Sequence, residues 1–501
     1  MNSGETVRAY HEWTSNSTGP IQRRPPRPAE YIQLDPDREP SPFKRYPDSE
    51  LHPLPVTAPM PGPAATDALA GRTAPTEHPV DLTLLSRILR LSFGITRSSR
   101  RHDRTMNWRP ASSAGNRHPL EAYVATGQID GLAAGLYHYA PEADALEQLL
   151  DGDQRSVVAG TADTPATQAF IILTGLPWRT AWKYAERGWR HVYWDAGTAL
   201  ANLLALAEAH GLQARLHFGF DDQALNRFLD LDGRTEFPLL IVALGDSSTA
   251  HTHEAAAARD QKLPTPAELP SAPIEFPLIT VAQQAGNLSG SSEVRKWRST
   301  PAGDATHPCG SAEAAALPPG GSIEELILRR VTTRRMDPVT VSPQLLSWAM
   351  QCATRPVSMD AVSTGHTLIT SDLSVHGVAG LSPGIYRYRN GQFNGLGLLT
   401  EPQARAQATD LCLDQTVAGN AAYTLFVATD LEILLQTWGD RGYRMAQTEA
   451  GIVVGRLQLA AAALGFGASG LTFFDDAVAD AFTTRRSTML ACAVGVPLRR
   501  S

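Results

Sequence analysis

The stretch RGWRHVYWDAGTALANLLALAEAHGLQARLHFGFDD, from Arg187 to Asp222, returns later in the chain as RGYRMAQTEAGIVVGRLQLAAAALGFGASGLTFFDD, from Arg441 to Asp476. The two stretches align without a gap at an offset of 254 residues, and 13 of their 36 positions are identical. Each continues from an Arg-Gly-aromatic-Arg sequence into a long run of small apolar residues and leucine, which is typical of a helix buried on most sides. The sequence therefore predicts an internal repeat with a central buried helix in each copy.

The repeat extends to shorter apolar segments upstream of these helices. The run AFIILT at 169–174 aligns with YTLFVA at 423–428, and GLYHY at 135–139 resembles GIYRY at 384–388. Short runs of β-branched and aromatic residues of this kind are typical of strands. Each copy therefore combines strands with its central helix, and close packing of the two copies would bury both helices.

Chain length and local composition indicate how these copies are arranged. The 501 residues exceed one ordinary core, which favours two domains with connecting segments. Residues 1–80 are rich in Pro, Arg and Asp, and they predict an extended N-terminal arm rather than a packed domain. We place the first domain at 81–246, an interdomain connection at 247–321 and the second domain at 322–501. Within the connection, the run FPLITVAQQAGNL has enough apolar residues to dock on a domain.

Overall composition excludes several classes of protein. The chain is 43% hydrophobic and 19% charged with a net charge of −7, which gives no general reason to bind nucleic acid or an anionic membrane. It has no apolar run of membrane-spanning length, and its N-terminus lacks the apolar segment of a secretory signal. The four cysteines are scattered without a CxxC pair, which argues against a zinc site or a disulfide framework. We therefore expect a cytoplasmic protein without a bound metal.

A basic motif, RRVTTRRMD at Arg329–Asp337, opens the second copy. Its guanidinium groups bracket a hydroxyl near a predicted helix end, and a guanidinium binds phosphate oxygens through paired N–H donors. The candidate phosphate-binding residues are Arg330, Thr332 and Arg334. An exposed basic helix end is the alternative interpretation of the same residues.

A loop of small residues, RPASSAGNRHP at Arg109–Pro119, precedes the strands of the first copy. Small residues let a backbone approach a flat ring, and hydroxyl and amide groups can hydrogen-bond the polar edge of that ring. Ser112, Ser113 and Asn116 are the candidate contacts. A simple Ser/Gly turn would have the same local sequence.

The motif KYAERG, at Lys183–Gly188, comes directly before the first central helix. Tyrosine, with a pKa near 10, is a poor base unless a cation stabilises its phenolate. Lys183 could supply that charge, or it could act as the base itself if burial lowers its pKa; the sequence leaves both open, along with an ordinary amphipathic helix face. Asp195 and Glu449, at matching repeat positions, are interpreted as structural acids.

Together with the repeat, these three motifs resemble those of the nitroreductase superfamily and, within it, the SagB/ThcOx-type dehydrogenases. The resemblance covers both copies and extends to the N-terminal arm at 10–12 and 43–47, although Ser112 stands where these dehydrogenases usually have proline. It implies an α+β fold in which two fused FMN-dependent nitroreductase-like domains form a pseudo-dimer. It also implies an FMN site built from Arg109, Ser112, Ser113 and Asn116 of the first copy and Arg330, Thr332 and Arg334 of the second.

Each copy keeps the element that the other lacks. The first copy has no Arg-Arg-x-Ser-x-Arg motif before its loop, and the second has Arg355–Asp360 where the Ser-Ala-Gly-Asn loop is expected. The pair Lys183-Tyr184 aligns with Thr437-Trp438 of the second copy. The sequence therefore predicts one complete site, and one FMN, per chain.

The resemblance also implies an activity. It points to a dehydrogenase or oxidase that converts peptide-derived thiazolines or oxazolines to azoles, with Lys183 and Tyr184 as catalytic residues and O2 reoxidising the reduced FMN. The substrate would be peptide-like or a small molecule, with partner proteins from a biosynthetic pathway. A Rossmann GxGxxG motif is lacking after any predicted strand, so a nicotinamide would visit the flavin only transiently. The alternatives are a general NAD(P)H-dependent nitro- or quinone-reductase and a non-enzymatic scaffold subunit with a degenerate flavin site.

Overall fold

Two seven-stranded antiparallel sheets, one in each half of the chain, form the frame of the computed structural model. The structure describes residues 4–19, 26–58, 62–74, 79–101, 104–246, 262–310, 317 and 320–498. Helices pack against both sheets, and the two longest helices lie between them. The predicted α+β pseudo-dimer is confirmed.

The first half contains one large sheet and a separate hairpin. Its elements, in chain order, are α1 (Glu5–Thr14), β1 (Leu51–Pro53), α2 (Ala65–Ala70), α3 (Leu82–Phe93), β2 (Arg97–Arg101), β3 (Arg104–Trp108), β4 (Leu120–Thr126), β5 (Gly135–Ala140), β6 (Ala145–Asp151), α4 (Arg155–Thr161), β7 (Ala169–Gly175), α5 (Pro177–Tyr184), α6 (Gly188–Ala209), β8 (Ala214–His217), α7 (Asp222–Phe228) and β9 (Phe237–Leu244). The sheet has the order β1-β6-β5-β4-β7-β9-β8, and β2 pairs with β3 alone.

The second half repeats the sheet after a helical connection. Its elements are α8 (Pro277–Ala285), α9 (Gly290–Arg298), β10 (His307–Pro308), α10 (Ile323–Arg329), β11 (Met336–Asp337), α11 (Pro343–Ala353), β12 (His366–Thr367), β13 (Thr370–Val375), β14 (Gly384–Arg389), β15 (Gln392–Leu398), α12 (Glu401–Leu411), α13 (Thr416–Asn420), β16 (Tyr423–Thr429), α14 (Leu431–Trp438), α15 (Asp440–Ala463), β17 (Gly467–Leu471), α16 (Asp475–Ala481) and β18 (Ser487–Pro497). The order is β11-β18-β16-β13-β14-β15, with β17 also paired to β18.

The helices α6 and α15 are the predicted central helices, and they pack directly on each other. Two glycines allow this approach: a Cβ added to Gly197 would lie 2.6 Å from Gly451 Cα, and one added to Gly451 would lie 2.9 Å from Gly197 Cα. Nearly every residue of both helices is buried, because each meets its own sheet on one side and the other helix on the other. Among the described residues, no helix has both the length and the apolar character needed to cross a membrane.

The N-terminal segment is not the extended arm that its composition predicts. Helix α1 places Val7, Tyr10, His11 and Thr14 on one buried face, a spacing of three and four residues that matches the helical repeat. Tyr10 Oη donates to the carbonyl oxygen of Glu186 at 2.7 Å, and β1 adds a strand to the first sheet. The high proline and arginine content of residues 1–80 predicts an extended segment, and this short amphipathic helix is therefore not expected from composition.

The connection contains a docked helix, which the apolar run within it predicts. Helix α8 buries Ile279 and Ala282, and its Gln283 side-chain oxygen accepts hydrogen bonds from Trp189 Nε1 at 2.9 Å and from Tyr193 Oη at 2.8 Å. These bonds fasten the connection to α6. The exact domain limits at 81, 246 and 322 stay a prediction.

Candidate active site

A cavity of about 170 Å³ lies between the two halves, beside the central helices. The first half contributes the loop Ser112–Gly115, together with Tyr184, His191 and Asp195. The second half contributes Thr332, Arg334, Gln458 and the strand end Gly470–Thr472. The structure thus brings five of the predicted site residues to one composite cavity: Ser112, Ser113, Tyr184, Thr332 and Arg334.

The loop Ser112–Gly115 is held in place from both halves. Ser113 Oγ donates to the Asp195 carboxylate, and the backbone N–H of Ala114 donates to Asp195 Oδ1 at 3.0 Å. Ser112 Oγ bonds Gln458 Oε1 at 2.5 Å, across the interface. Burial raises the pKa of Asp195 to about 7, although the hydrogen bonds from the loop oppose that rise. Asp195 therefore acts as the clamp of this loop, in agreement with its interpretation as a structural acid.

Gly115 brings the loop against the Lys183-Tyr184 pair. Its φ of +62° is left-handed, and an added Cβ would lie 2.9 Å from Tyr184 Oη and 3.2 Å from Lys183 Nζ. A side chain at this position would therefore be strained and would also displace both groups. Tyr184 lines the cavity, and Lys183 lies beside it above the same glycine.

The electrostatic surroundings separate the two candidate bases. Burial lowers the pKa of Lys183, and the nearby guanidinium groups of Arg117 and Arg334 lower it further. Burial raises the pKa of Tyr184 to about 12, with Asp195 adding to the rise. The neutral amine of Lys183 is therefore easier to reach than that of a free lysine, whereas Tyr184 keeps its proton to a higher pH than a free tyrosine. A neutral lysine can accept a proton, whereas a neutral tyrosine can only donate one.

Arg330 has a buried donor without a partner at the composite site. Its Nη2 donates to the carbonyl oxygen of Pro110 at 2.6 Å, directly before the first-half loop, whereas Nη1 is buried and has no hydrogen-bond partner among the described residues. Burial lowers the pKa of Arg330 to about 10. An unpartnered guanidinium donor near Thr332 and Arg334 is the arrangement expected for binding an anionic group.

Arg109 and Asn116, both predicted to bind the flavin, do not line the composite cavity. The buried Arg109 side chain donates to the carbonyl oxygens of Phe93 and Pro42, at 3.1 and 3.2 Å. The Asn116 amide donates to the carbonyl oxygen of Asn107 at 2.8 Å. Both side chains thus connect the loop to neighbouring backbone segments. The structure gives them this supporting role in place of the predicted contact with the flavin.

The second half contains a counterpart of the loop, but at a different place from the one predicted. Thr367 Oγ1 donates to Glu449 Oε1 at 2.6 Å, and the backbone N–H of Leu368 donates to Glu449 Oε2 at 2.9 Å. These bonds correspond to those that Asp195 receives from Ser113 and Ala114, so the structural counterpart of the loop is 366–369 and not the predicted Arg355–Asp360. In this counterpart, isoleucine replaces Gly115 and tryptophan replaces Tyr184.

The segment Arg355–Asp360 instead packs along β8, where the backbone N–H of Leu216 donates to the carbonyl oxygen of Ser358 at 2.9 Å. The Asp360 carboxylate accepts hydrogen bonds from the backbone N–H groups of Phe218 and Gly219, at 3.0 and 2.9 Å. Phe218 occupies the repeat position of Thr472, which forms a wall of the composite cavity. The Asp360 carboxylate thus lies where the second half-site would mirror that wall, while Thr367 and Ile369 line a separate cavity of about 110 Å³ together with Arg355 and Pro356.

His191, which is not among the predicted site residues, also lines the cavity. Its ring stacks on Tyr184 with a centroid distance of 4.1 Å. The only sequence signal is a difference within the repeat, because the aligned residue of the second copy is Met445. Within the described ranges, no group of three or more His, Cys, Asp or Glu side chains is arranged to hold a metal ion.

The profile of the Nitroreductase family matches residues 76–246 and matches again at residues 327–496. The chain belongs to the nitroreductase family. It carries the domain twice, so the prediction of two fused nitroreductase domains is confirmed. The family is one of oxidoreductases whose members generally bind FMN. The small-residue loop and the unpartnered Arg330 donor fit such a cofactor.

Three relatives share parts of the sequence. The chain is 27% identical over 186 residues to the nitroreductase-like protein MJ1384 of Methanocaldococcus jannaschii, covering 36% of this chain and 89% of that protein. It is 28% identical over 147 residues to the microcin B17-processing protein McbC of Escherichia coli, covering 28% and 54%. It is 27% identical over 212 residues to the trifolitoxin-processing protein TfxB of Rhizobium leguminosarum bv. trifolii, covering 40% and 55%. The matches span about half the length of the two processing proteins.

The whole architecture also has a counterpart among solved structures. The crystal structure of a nitroreductase-like protein from Anabaena variabilis superposes with a TM-score of 0.76 at 23% sequence identity. The match covers 98% of this chain and 99% of that one. The fold is therefore shared over nearly the full length, including the N-terminal segment and the connection.

Proposed function

We propose that the chain is an FMN-dependent dehydrogenase that oxidises azoline rings of a modified peptide to azoles, with one FMN per chain. The observation that carries this proposal is the close approach of Lys183 and Tyr184 to Gly115, which lines the composite cavity together with Tyr184. The names of McbC and TfxB describe peptide processing, which favours a peptide-derived substrate over an unrelated nitro compound.

Conversion of an azoline to an azole removes one carbon-bound proton and one hydride from the ring. FMN, when bound, accepts the hydride. The chain must supply the base for the proton, and Lys183 is suited to this role because burial, Arg117 and Arg334 lower its pKa and favour the neutral amine. Tyr184 keeps its proton, since its pKa is raised to about 12, and it can orient the ring by donating a hydrogen bond.

The cofactor would be held by Thr332, Arg334 and the loop Ser112–Gly115, which line the cavity, and by Arg330, which contacts Pro110 beside that loop. Arg330 offers an unpartnered buried donor for the phosphate, and Thr332 and Arg334 add a hydroxyl and a second guanidinium. The backbone and hydroxyl groups of Ser112–Gly115 would lie against the ring system, because their small side chains leave it room. In this proposal, O2 accepts the electrons from the reduced FMN, and partner proteins of the same biosynthetic pathway act on the same peptide.

The test begins with the visible spectrum of the purified full chain and quantitation of any flavin released by heat. We expect about one FMN per chain. The loaded protein is then incubated aerobically with a thiazoline-containing peptide, and mass spectrometry should show the loss of two hydrogens. Controls omit the protein or use free FMN alone.

The alternatives give different results in the same assays. A protein that neither contains nor takes up FMN would refute the proposal and favour the scaffold subunit. Two FMN per chain would contradict the assignment of one complete site to each chain. Rapid NAD(P)H-driven reduction of a nitroaromatic compound, without any oxidation of the azoline peptide, would identify a general reductase instead.

A further inference from the structure

A buried imidazole lines the composite cavity without a hydrogen-bond partner among the described residues. His191 is on the first turn of α6 and only 2% exposed. Its ring stacks on Tyr184 at a centroid distance of 4.1 Å and an interplanar angle of 22°. It also meets the ring of Trp194 at 4.6 Å in a T-shaped arrangement. These two aromatic contacts fix the plane of the imidazole within the cavity wall.

The polar atoms of this ring are unsatisfied. Both Nδ1 and Nε2 of His191 are buried, and neither has a hydrogen-bond partner among the described residues. A buried polar atom left unpaired costs about 1–3 kcal/mol, so such atoms are rare in folded proteins unless a ligand or water completes them. Since His191 lines the composite cavity, a group bound there is the partner that these nitrogens lack in the protein itself.

The surroundings keep this imidazole neutral. Burial holds its pKa well below the usual value, and the charges of Arg187, Arg190 and Lys183 lower it further. From other directions, Arg334 of the second half and Asp195 of α6 also line the cavity. A neutral imidazole carries one N–H donor and one acceptor nitrogen. It can therefore pair with a ligand edge that alternates acceptors and donors, which a carboxylate or an ammonium group does not offer.

We propose that His191 hydrogen-bonds the polar edge of the flavin ring in the composite cavity and is a cofactor-binding residue of the open half-site. This inference rests on the proposed function only in taking FMN as the cavity ligand. The flavin edge presents carbonyl oxygens, a ring N–H and acceptor nitrogens, which match both atoms of a neutral imidazole. Stacking on Tyr184 places the same side chain behind the proposed catalytic pair.

The second half supplies an internal comparison. Met445 occupies the repeat position of His191 and is fully buried. A thioether needs no hydrogen-bond partner when it is buried. The polar side chain therefore stands only in the half that carries the Lys183-Tyr184 pair, a difference that the shared packing of the two helices does not require.

The test measures FMN affinity by quenching of FMN fluorescence in the full-length apoprotein. His191→Phe preserves the aromatic stack on Tyr184 but removes both nitrogens, and we expect its Kd for FMN to rise about fivefold to tenfold, the effect of one hydrogen bond. His191→Asn, which keeps a donor and an acceptor, should recover part of that affinity. Met445→Leu is the matched control and should bind FMN as the wild type does.

A second measurement separates a contact with the flavin from a loss of folding. The visible absorption band of bound FMN should shift in His191→Phe but not in Met445→Leu, and circular dichroism should show equal folding of both. An unchanged Kd and an unchanged spectrum in His191→Phe, with FMN bound normally by the wild type, would overturn this inference and leave the proposed function intact. A wild-type chain that binds no FMN would overturn both.

Discussion

Asp195 and Glu449 lie at the same position of the internal repeat and make the same pair of hydrogen bonds, one from a hydroxyl and one from the next backbone N–H. The loops that they hold differ in chemistry, because only the first contains a glycine facing Lys183 and Tyr184. The carboxylate that holds the loop is thus a feature of both halves, whereas Lys183 and Tyr184 are present in the first half alone. Four predictions use this separation of scaffold and chemistry.

The first prediction concerns stability and pH. Burial raises the pKa of Glu449 to about 7, so in the folded protein this carboxyl holds its proton at pH values where the unfolded chain has lost it. Its contribution to the free energy of unfolding therefore falls as pH rises from about 4.5 to 7 and then levels off. Glu449→Gln removes that fall. Relative to wild type, the variant should gain up to about 1.4 kcal/mol per pH unit across this window.

Urea denaturation at pH 5, 6 and 7 provides the measurement, with FMN omitted to avoid ligand effects. The second half-site is used because it carries none of the proposed chemistry. Parallel pH profiles for Glu449→Gln and wild type would show that this carboxyl titrates at its ordinary value in the folded protein.

The second prediction concerns the base. Lys183→Ala should keep bound FMN and lower the rate of azoline oxidation by about 100-fold or more, the usual contribution of a general base. The wild-type rate should rise with pH and level off below 10.5, because the pKa of Lys183 is lowered, and the variant should lose this dependence. Thr437→Ala, at the aligned position of the second half, is the control and should leave the rate unchanged.

Tyr184→Phe extends the same experiment. Since the phenol is expected to orient the ring and not to take the proton, its loss should cost about tenfold, the value of one hydrogen bond. A larger loss in Tyr184→Phe than in Lys183→Ala, with the pH dependence moved to the tyrosine, would reverse the two roles.

The third prediction concerns Gly115. An alanine there would be strained at a φ of +62°, and its Cβ would contact Tyr184 Oη and Lys183 Nζ. We expect Gly115→Ala to cost about 1–2 kcal/mol of stability and to reduce activity through displacement of the pair. Ile369→Ala, at the aligned position, should lower stability without changing the activity per FMN. Full activity in Gly115→Ala would show that the pair does not need this close approach.

The fourth prediction concerns the anion-binding arginines. Arg330→Ala removes a buried guanidinium with one free donor, and FMN affinity should fall about 10-fold to 100-fold, as expected for a charge-assisted hydrogen bond. Arg334→Ala should act in the same direction. The exposed neighbour Arg329 gives the control, since Arg329→Ala should retain the flavin. Equal FMN content in all three variants would refute the phosphate assignment.

The repeat and the fold could be predicted because their signal lies in buried positions. Residues such as Gly197 and Gly451 are fixed by helix packing, which both copies must satisfy, so the aligned helices remain similar in sequence. The short helix α1 was missed because only four of its residues face the core, and the surrounding prolines dominate the composition.

The details of the site depended on tertiary contacts that no local pattern contains. Arg109 and Asn116 belong to a motif that resembles a flavin loop. Their side chains instead donate hydrogen bonds to backbone carbonyl oxygens, that of Phe93 for Arg109 and that of Asn107 for Asn116. The second-half loop was placed too early in the sequence because its aligned residues, 366–369, share no identity with Ser112–Gly115. His191 is visible only once the structure shows that its nitrogens lack partners.

The crossing of α6 and α15 at Gly197 and Gly451 has a consequence for how this protein can change. In an enzyme made of two identical subunits, one amino-acid substitution changes both sides of the interface at once. Here each side is encoded separately, so a residue that suits the reaction can arise in one half while its twin is optimised for rigidity. The covalent link also makes assembly of the cavity independent of protein concentration. Dilution, which would separate weakly bound subunits, should leave this site whole.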